Sequence, residues 1–313
     1  MATINWGNRA ARMAILGGAL ALVLVTTACG GGDDGGGGGD GDGASATTAA
    51  PAGGDDDLYV VITNSEGIAS PGLDAIVQTA YQHPKTTIAV VVPNVEAATP
   101  PAPLAGGQAP DVLYTPTPSG FPGVVVAADA ADTVRTAIAG NIDGLPEGQT
   151  TPDLVIAGIN TGQLIGSLAD FSSNVPAAQA AVDAGVPALV VAQGVDQSPP
   201  EYAAGVTQAI TWIEDHRDAL LAGDEPAQVY LLNVPSCTAG QVRGLVEVPV
   251  AADDAGRDLA AVDCTSTAEG PADDVAAFTT GFATVAVLPA ADPTTSTTAT
   301  AGGEAAPTTT PAG

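Results

Sequence analysis

The chain has 313 residues and carries 35 acidic against 7 basic side chains, a formal net charge of −28 at pH 7. A chain so poor in Lys and Arg argues against binding to nucleic acid, which depends on basic residues to displace counterions from the phosphates. The charge also repels anionic lipid headgroups, so attachment to a membrane would have to come from a lipid chain. Solubility alone explains most of this charge.

The first 28 residues have the layout of a secretory signal peptide. Arg9 and Arg12 form a short basic region, and an apolar run from Met13 to Val25 leads through small residues to Cys29. This end resembles the lipobox of bacterial lipoproteins, which implies that Cys29 becomes a lipidated first residue and anchors the protein outside the cell membrane. A plain cleaved signal and a single membrane span are the alternatives, although the apolar run is short for a span.

Two further segments lack the composition of a folded domain. Residues 29–57 are almost entirely Gly, Asp, Ala and Thr, and residues 290–313 are mainly Thr, Ala, Pro and Gly. Such segments cannot bury enough apolar area to fold, so they predict a disordered tether and a disordered tail. The remaining segment, 58–289, has the length of one α/β domain.

Strand and helix patterns alternate along this domain. Strands are predicted at 58–63, 87–92, 123–127, 153–157, 188–192 and 228–233, and helices over 73–81, 131–138, 175–184 and 206–220. The Pro-rich stretch 99–122 excludes a regular helix, and an extended segment is expected within it at 112–114. The strands are continuous apolar runs, which indicates a mainly parallel sheet covered on both faces.

The predicted fold is therefore a three-layer α/β domain with a mainly parallel, Rossmann-like sheet. The last segment, 242–287, contains short strand patterns and little helical pattern. We expect it to form a small antiparallel appendage at the carboxyl end of the domain.

The candidate site follows the first strand. Asn64, Ser65 and Glu66 come directly after the apolar run 58–63, and a helical pattern begins after Pro71-Gly72. In open α/β sheets, ligands bind at the carboxyl ends of the strands. This loop, with one carboxylate among neutral oxygens, is therefore the expected site.

Two cysteines remain if Cys29 is lipidated. Outside the cytoplasm thiols tend to pair, which favours a disulfide between Cys237 and Cys264. The alternative is a pair of free buried thiols. The sequence contains no Cys-x-x-Cys motif and no Cys/His cluster, which argues against a zinc site.

Five sequence blocks, in the same order, resemble the SurE family of phosphatases and nucleotidases. They are LYVVITNSEGIASPGL at 58–73, PDLVIAGINTG at 152–162, FSSNVPAAQAAVDAGVPALVVA at 171–192, LNVP at 232–235 and DVAAFTTGFATVAVLP at 274–289. The resemblance implies metal-dependent hydrolysis of phosphomonoesters, often nucleoside monophosphates, with Mg or Mn as the cofactor. It also implies a homodimer.

The resemblance assigns roles to individual residues. In that family a divalent ion is held by two adjacent aspartates, a serine and the asparagine of a Gly-Ile-Asn motif. The implied metal ligands are Ser65, Glu66 and Asn160, together with Thr99, which lies one residue after Ala98, the position of the family's serine. Glu66 and Asn160 are the implied catalytic residues. The implied phosphate-binding residues are Asn64, Ser172, Ser173 and Asn174. The last three also have the residue types and position of a simple helix N-cap.

The loop departs from the family pattern in its charge. The aspartate pair falls on Ser65 and Glu66, so one carboxylate replaces two, and the arginines of the family's Pro-Asp-Arg run are absent. Two main hypotheses follow: a lipid-anchored phosphomonoesterase of the nucleotidase type, or a binding or scaffold lipoprotein that keeps the fold without catalysis. A solute-binding lipoprotein is a weaker alternative, because that class generally needs two comparable lobes.

Overall fold

A nine-stranded sheet runs through the computed structural model, which describes residues 57–95, 110–140, 142, 145, 151–195, 201–254 and 256–288. The strands are β1 (Leu58–Thr63), β2 (Thr86–Pro93), β3 (Val112–Tyr114), β4 (Gly123–Val126), β5 (Leu154–Thr161), β6 (Ala188–Gln193), β7 (Val229–Val234), β8 (Leu245–Glu247) and β9 (Ala283–Leu288). Their order across the sheet is β3-β4-β2-β1-β5-β6-β7-β9-β8. The strands from β4 to β7 in this order are all parallel.

The helices connect the parallel strands. They are α1 (Pro71–Gln82), α2 (Ala130–Ile138), α3 (Asn174–Asp183), α4 (Ala203–Ala222) and α5 (Asp274–Thr279), with a 3₁₀ helix at Gly166–Phe171. None of the helices in these residue ranges has the length and apolar character that a membrane crossing requires.

Two apolar cores lie on opposite faces of the sheet. Along β1, Val60 and Ile62 pack on one face with residues of α1 and α4, whereas Tyr59 and Val61 pack on the other with residues of α2 and α3. Because successive side chains of a strand point to opposite faces, a strand with six buried residues must be covered on both sides. The predicted three-layer arrangement with a mainly parallel sheet is confirmed.

The strands at both edges of the sheet run antiparallel to the central strands. At one edge β3 pairs antiparallel with β4, and at the other β9 pairs antiparallel with β7 while β8 runs parallel to β9. The expected antiparallel strands near the carboxyl end are present, and they extend the main sheet. The short helix α5, which the sequence did not predict, precedes β9.

A disulfide joins Cys237 to Cys264, as predicted, with the two Cα atoms 5.7 Å apart. It ties the segment after β7 to the segment that precedes α5. The predicted lipidation residue Cys29, the tether up to residue 56, the tail and Thr99 lie outside the described residues.

Candidate functional site

The polar loop after β1 lies beside the end of β5. These neighbouring strands pair in parallel, with Thr63 opposite Ala157, so both open at the same edge of the sheet. β5 then continues through Asn160 to Thr161. The candidate site residues of both strands are therefore brought together, as the fold prediction required.

Asn64 shapes the loop from inside the protein. Its side chain is fully buried, and its Oδ1 accepts a hydrogen bond of 2.8 Å from the backbone N of Glu66. Its Nδ2 donates to Ser70 Oγ at 3.2 Å and to the carbonyl of Ile159 at 3.3 Å. All of these contacts are internal, which gives Asn64 a structural role beside the phosphate-binding role that the sequence predicts.

Glu66 bridges the loop to β5 with an exposed carboxylate. Its Oε2 accepts a hydrogen bond from Ser70 Oγ at 2.9 Å, and its Oε1 accepts one from the backbone N of Thr161 at 3.2 Å. Ser70 is also the N-cap of α1, since its Oγ accepts from the backbone N of Leu73. The position of the carboxylate is thus set by two different elements.

Ser65 lies between two asparagines. Its backbone N donates to Asn174 Oδ1 at 2.8 Å, and its Oγ accepts from Asn160 Nδ2 at 3.3 Å. The other amide atom of each asparagine, Asn160 Oδ1 and Asn174 Nδ2, is buried without a hydrogen-bond partner. Because buried polar atoms are normally paired, the unpartnered acceptor and the unpartnered donor beside Ser65 are two atoms that a ligand could pair with.

The start of α3 completes this group of residues. Ser172 is buried, and its Oγ accepts from the backbone N of Asn174 at 3.2 Å. Ser173 is the exposed N-cap residue of α3, and its side chain makes no capping hydrogen bond. The capping reading of Ser173 is therefore not supported. A helix N-terminus with backbone N–H groups favours an anion.

The hydrogen bonds of the described arginines go to residues outside the candidate site. Arg135 pairs with Asp132, Arg217 with the carbonyl of Lys85, Arg243 with the carbonyl of Thr280 and Arg257 with Asp273. An anion at this site would meet amide and hydroxyl donors, with any further positive charge coming from a bound ion.

The donor atoms suit one hard divalent cation. Ser65 Oγ, the Glu66 carboxylate and the unpartnered Asn160 Oδ1 are all oxygens, the ligands that Mg²⁺ prefers, and Mg²⁺ is often held by one or two carboxylates with water and substrate oxygens. Within the described ranges, no group of three or more His, Cys, Asp or Glu side chains is placed to hold a metal. The residues therefore fit an ion completed by water and substrate, and not a full protein cage.

These features define an α/β protein whose candidate site lies at the carboxyl ends of neighbouring parallel strands, where such sheets bind ligands. Residues 60–255 match the family model described as survival protein SurE. The chain belongs to the SurE family.

Several curated relatives carry the name 5′-nucleotidase SurE. The protein of Carboxydothermus hydrogenoformans is 32% identical over 141 residues, which are 43% of this chain and 49% of the relative. That of Sorangium cellulosum is 28% identical over 186 residues, 59% of this chain and 67% of the relative. The chain thus spans about half of the first relative and about two thirds of the second.

The fold also matches a solved structure. The SurE protein from Aquifex aeolicus superposes with a TM-score of 0.54 at 16% identity, covering 74% of this chain and 92% of that one. At this identity the match shows the fold alone, and it agrees with the sheet and helices described above.

Two residues that hold Glu66 were missed by sequence reasoning. Ser70, which precedes Pro71, has the type and position of a helix N-cap and could have been found by that signal. Thr161 contributes only a backbone N–H, which any residue except proline would supply. Its role had no sequence signal.

Proposed function

We propose that the chain is a metal-dependent phosphomonoesterase of the 5′-nucleotidase type, with its site between Glu66 and Asn160. The observation that carries this proposal is the buried, unpartnered Asn160 Oδ1 beside Ser65 and the exposed Glu66 carboxylate. The names of the curated relatives support the reaction, and a nucleoside monophosphate is the corresponding substrate.

Each residue has a distinct task in this proposal. Ser65, Glu66 and Asn160 would hold Mg²⁺ or Mn²⁺, with Thr99 as the further ligand that the family resemblance implies. A divalent ion held by these residues would supply polarisation of the phosphoryl group and activation of a water molecule. Ser70 and the backbone N of Thr161 keep the Glu66 carboxylate in place.

The phosphate would lie against the start of α3. There, Asn174 Nδ2 is a buried donor without a partner, and Ser172 and Ser173 supply hydroxyl groups. These donors orient the phosphate without adding a charge of their own.

A second candidate is a binding or scaffold module without catalysis. It is favoured by the single carboxylate of the loop, because both of its oxygens already accept hydrogen bonds from the protein. A solute-binding lipoprotein finds less support, since the described residues form one sheet with no second lobe.

Substitution of the two central residues tests the first candidate. In the full chain, Glu66→Ala and Asn160→Ala should each lower Mn²⁺-dependent phosphate release from nucleoside monophosphates by at least about 100-fold, the usual scale for losing a group that stabilises the transition state. Asp183→Ala removes an exposed carboxylate at the far end of α3 and should leave turnover unchanged. Unchanged turnover in both site variants would remove the reaction from this site.

Metal binding separates the two candidates. Calorimetric titration of the full chain with Mn²⁺ should give saturable binding that Glu66→Ala abolishes. An absence of heat at millimolar Mn²⁺, together with no phosphate release from any ester tested, would leave the binding module as the function.

We further infer that the protein acts outside the cytoplasm, held to the cell membrane by a lipid on Cys29. The order of basic, apolar and small residues before Cys29 supports this location. The Cys237–Cys264 disulfide supports this location independently, because such bonds persist in oxidising compartments.

A homodimer is also proposed from the family resemblance. Light scattering that gives the mass of one chain would reject the dimer.

A further inference from the structure

A cleft of about 530 Å³ opens beside Glu66. It lies between the loop that joins β1 to α1, the end of β2, and the hairpin of β3 and β4. The lining residues are Glu66, Ile68, Ala69, Pro93, Asn94, Val95, Leu113, Thr115, Pro116, Thr117, Pro118 and Val125. Its volume lies within the range of about 300–1,000 Å³ that is usual for small-molecule sites.

Two glycines allow the walls of the cleft to pack closely. A Cβ atom on Gly67 would lie 2.5 Å from Val95 Cγ2, and one on Gly123 would lie 2.6 Å from Ile68 Cδ1. Gly67 also has a φ of 81°, which residues other than glycine rarely adopt. Val95 and Ile68 are therefore packed directly against backbone.

The hairpin wall is fastened to α1. Asp74 Oδ1 accepts hydrogen bonds from the backbone N of Ser119 at 3.0 Å and from Ser119 Oγ at 2.6 Å. Partial burial raises the pKa of Asp74, but these hydrogen bonds and one from Thr117 outweigh it, so the pKa lies below its ordinary value. The carboxylate thus stays ionised and keeps the hairpin in place at neutral pH.

The chemistry of the lining suits an uncharged ligand. Most lining side chains are apolar or proline, and Leu113 lies at the rim with 62% of its surface exposed. The one charged lining residue is Glu66, and the sequence contains no Lys or Arg between Lys85 and Arg135. A second anionic group on a ligand would find no Lys or Arg to pair with here, whereas an apolar group would cover Leu113.

We propose that this cleft holds the uncharged organic group of a phosphomonoester and selects against substrates that carry a second anionic group. The inference rests on the proposed function, because Glu66 belongs both to the cleft and to the site that would take the phosphate. Leu113 is then a specificity-determining residue.

A charge placed on β3 tests the selectivity. Leu113→Arg fills the cleft and adds a cation, whereas Val112→Arg adds the same charge at the neighbouring position, which does not line the cleft. Leu113→Arg should lower kcat/KM for 4-nitrophenyl phosphate by about tenfold, because an apolar contact is lost. It should also raise kcat/KM for 3-phosphoglycerate relative to 4-nitrophenyl phosphate. Val112→Arg should change neither value, and equal effects of the two variants would overturn the proposal.

Binding of a nucleoside tests the cleft without catalysis. Saturation-transfer NMR should detect adenosine bound to the metal-free full chain, with about tenfold weaker binding to Leu113→Arg than to Val112→Arg. Asp183→Ala should bind adenosine as the wild type does, since Asp183 is exposed at the far end of α3 and does not line the cleft. Binding of this pattern in a protein without turnover would support the cleft while rejecting the esterase. No binding of adenosine to the wild type would overturn the cleft, whatever the turnover.

Discussion

At the scale of single residues, Asn64 decides the shape of the candidate site. Its amide connects the backbone N of Glu66, the hydroxyl of Ser70 and the carbonyl of Ile159, so it joins the loop, helix α1 and strand β5. Helix α1 can pack this close to β5 because residue 72 is glycine. A Cβ atom at this position would lie 1.9 Å from the Ile159 carbonyl oxygen. This junction supports the loop that carries Glu66.

Asn64→Ala should therefore destabilise the fold. Truncation leaves the Glu66 N–H and the Ile159 carbonyl without this partner, at a cost of about 2–3 kcal/mol for buried polar groups. Urea denaturation followed by circular dichroism would measure the loss. Gln78→Ala, which removes an exposed amide on α1, should cost less than about 0.5 kcal/mol. A similar small cost for Asn64→Ala would show that the loop is held by other contacts.

Part of the site could be anticipated from the sequence. Ser65, Asn160 and Asn174, which the family resemblance singled out, are linked by hydrogen bonds in the structure. The unpartnered amide atoms of Asn160 and Asn174 could not be predicted, because whether a buried atom finds a hydrogen-bond partner depends on the packing of three separate elements. The same limit applies to the contacts of Glu66, which depend on how far β5 extends beyond β1.

At the scale of elements, the 3₁₀ helix that leads to Ser172 is fastened to the carboxyl-terminal part of the domain. The backbone N of Gly166 donates to Asp274 Oδ2 at 2.9 Å, and Ser167 donates to Asp254 through both its backbone N and its hydroxyl. The hydrogen bonds from Ser167 lower the pKa of Asp254. The position of Ser172 thus depends on α5 and on the segment before it.

Asp274→Ala should loosen this attachment. Asp274 is fully buried and accepts hydrogen bonds from the backbone N of Gly166 and of Ala251, both of which would lose their partner. We expect a loss of about 2–4 kcal/mol in unfolding free energy, together with faster hydrogen exchange over 163–171. The control Asp258→Ala removes an exposed carboxylate with one local contact and should cost less than about 1 kcal/mol. Equal losses in the two variants would contradict a special role for Asp274.

The central strands and the four longer helices were predicted within a few residues, because buried parallel strands are continuous apolar runs and the helices repeat apolar residues at helical spacing. Strand β5 runs four residues beyond its predicted end at 157, since the pattern stops at Gly158 while the pairing with β6 resumes at Asn160. Helix α5 has six residues, fewer than two full turns, which is too short for a helical period to be recognised. Asp274 could not be distinguished by sequence from the other acids near it.

At the scale of the whole molecule, the proposed anchor explains how so acidic a protein could stay at a membrane. Cys29→Ser in the full chain should abolish labelling with a radioactive fatty acid and release the protein from the membrane fraction of the cells that make it. The Cys237–Cys264 disulfide should form as before, since export does not require lipid. Retention of Cys29→Ser in the membrane fraction would favour an uncleaved apolar span instead.

The order of the strands also governs when the molecule can finish folding. The last described strand, β9, lies between β7 and β8, and β8 pairs with no other strand of the described sheet. A growing chain that has emerged only as far as α5 therefore keeps an open backbone edge on β7, where other unfinished chains could add. Because residues 283–288 close this edge, the protein remains vulnerable to aggregation until almost the whole domain has been synthesised.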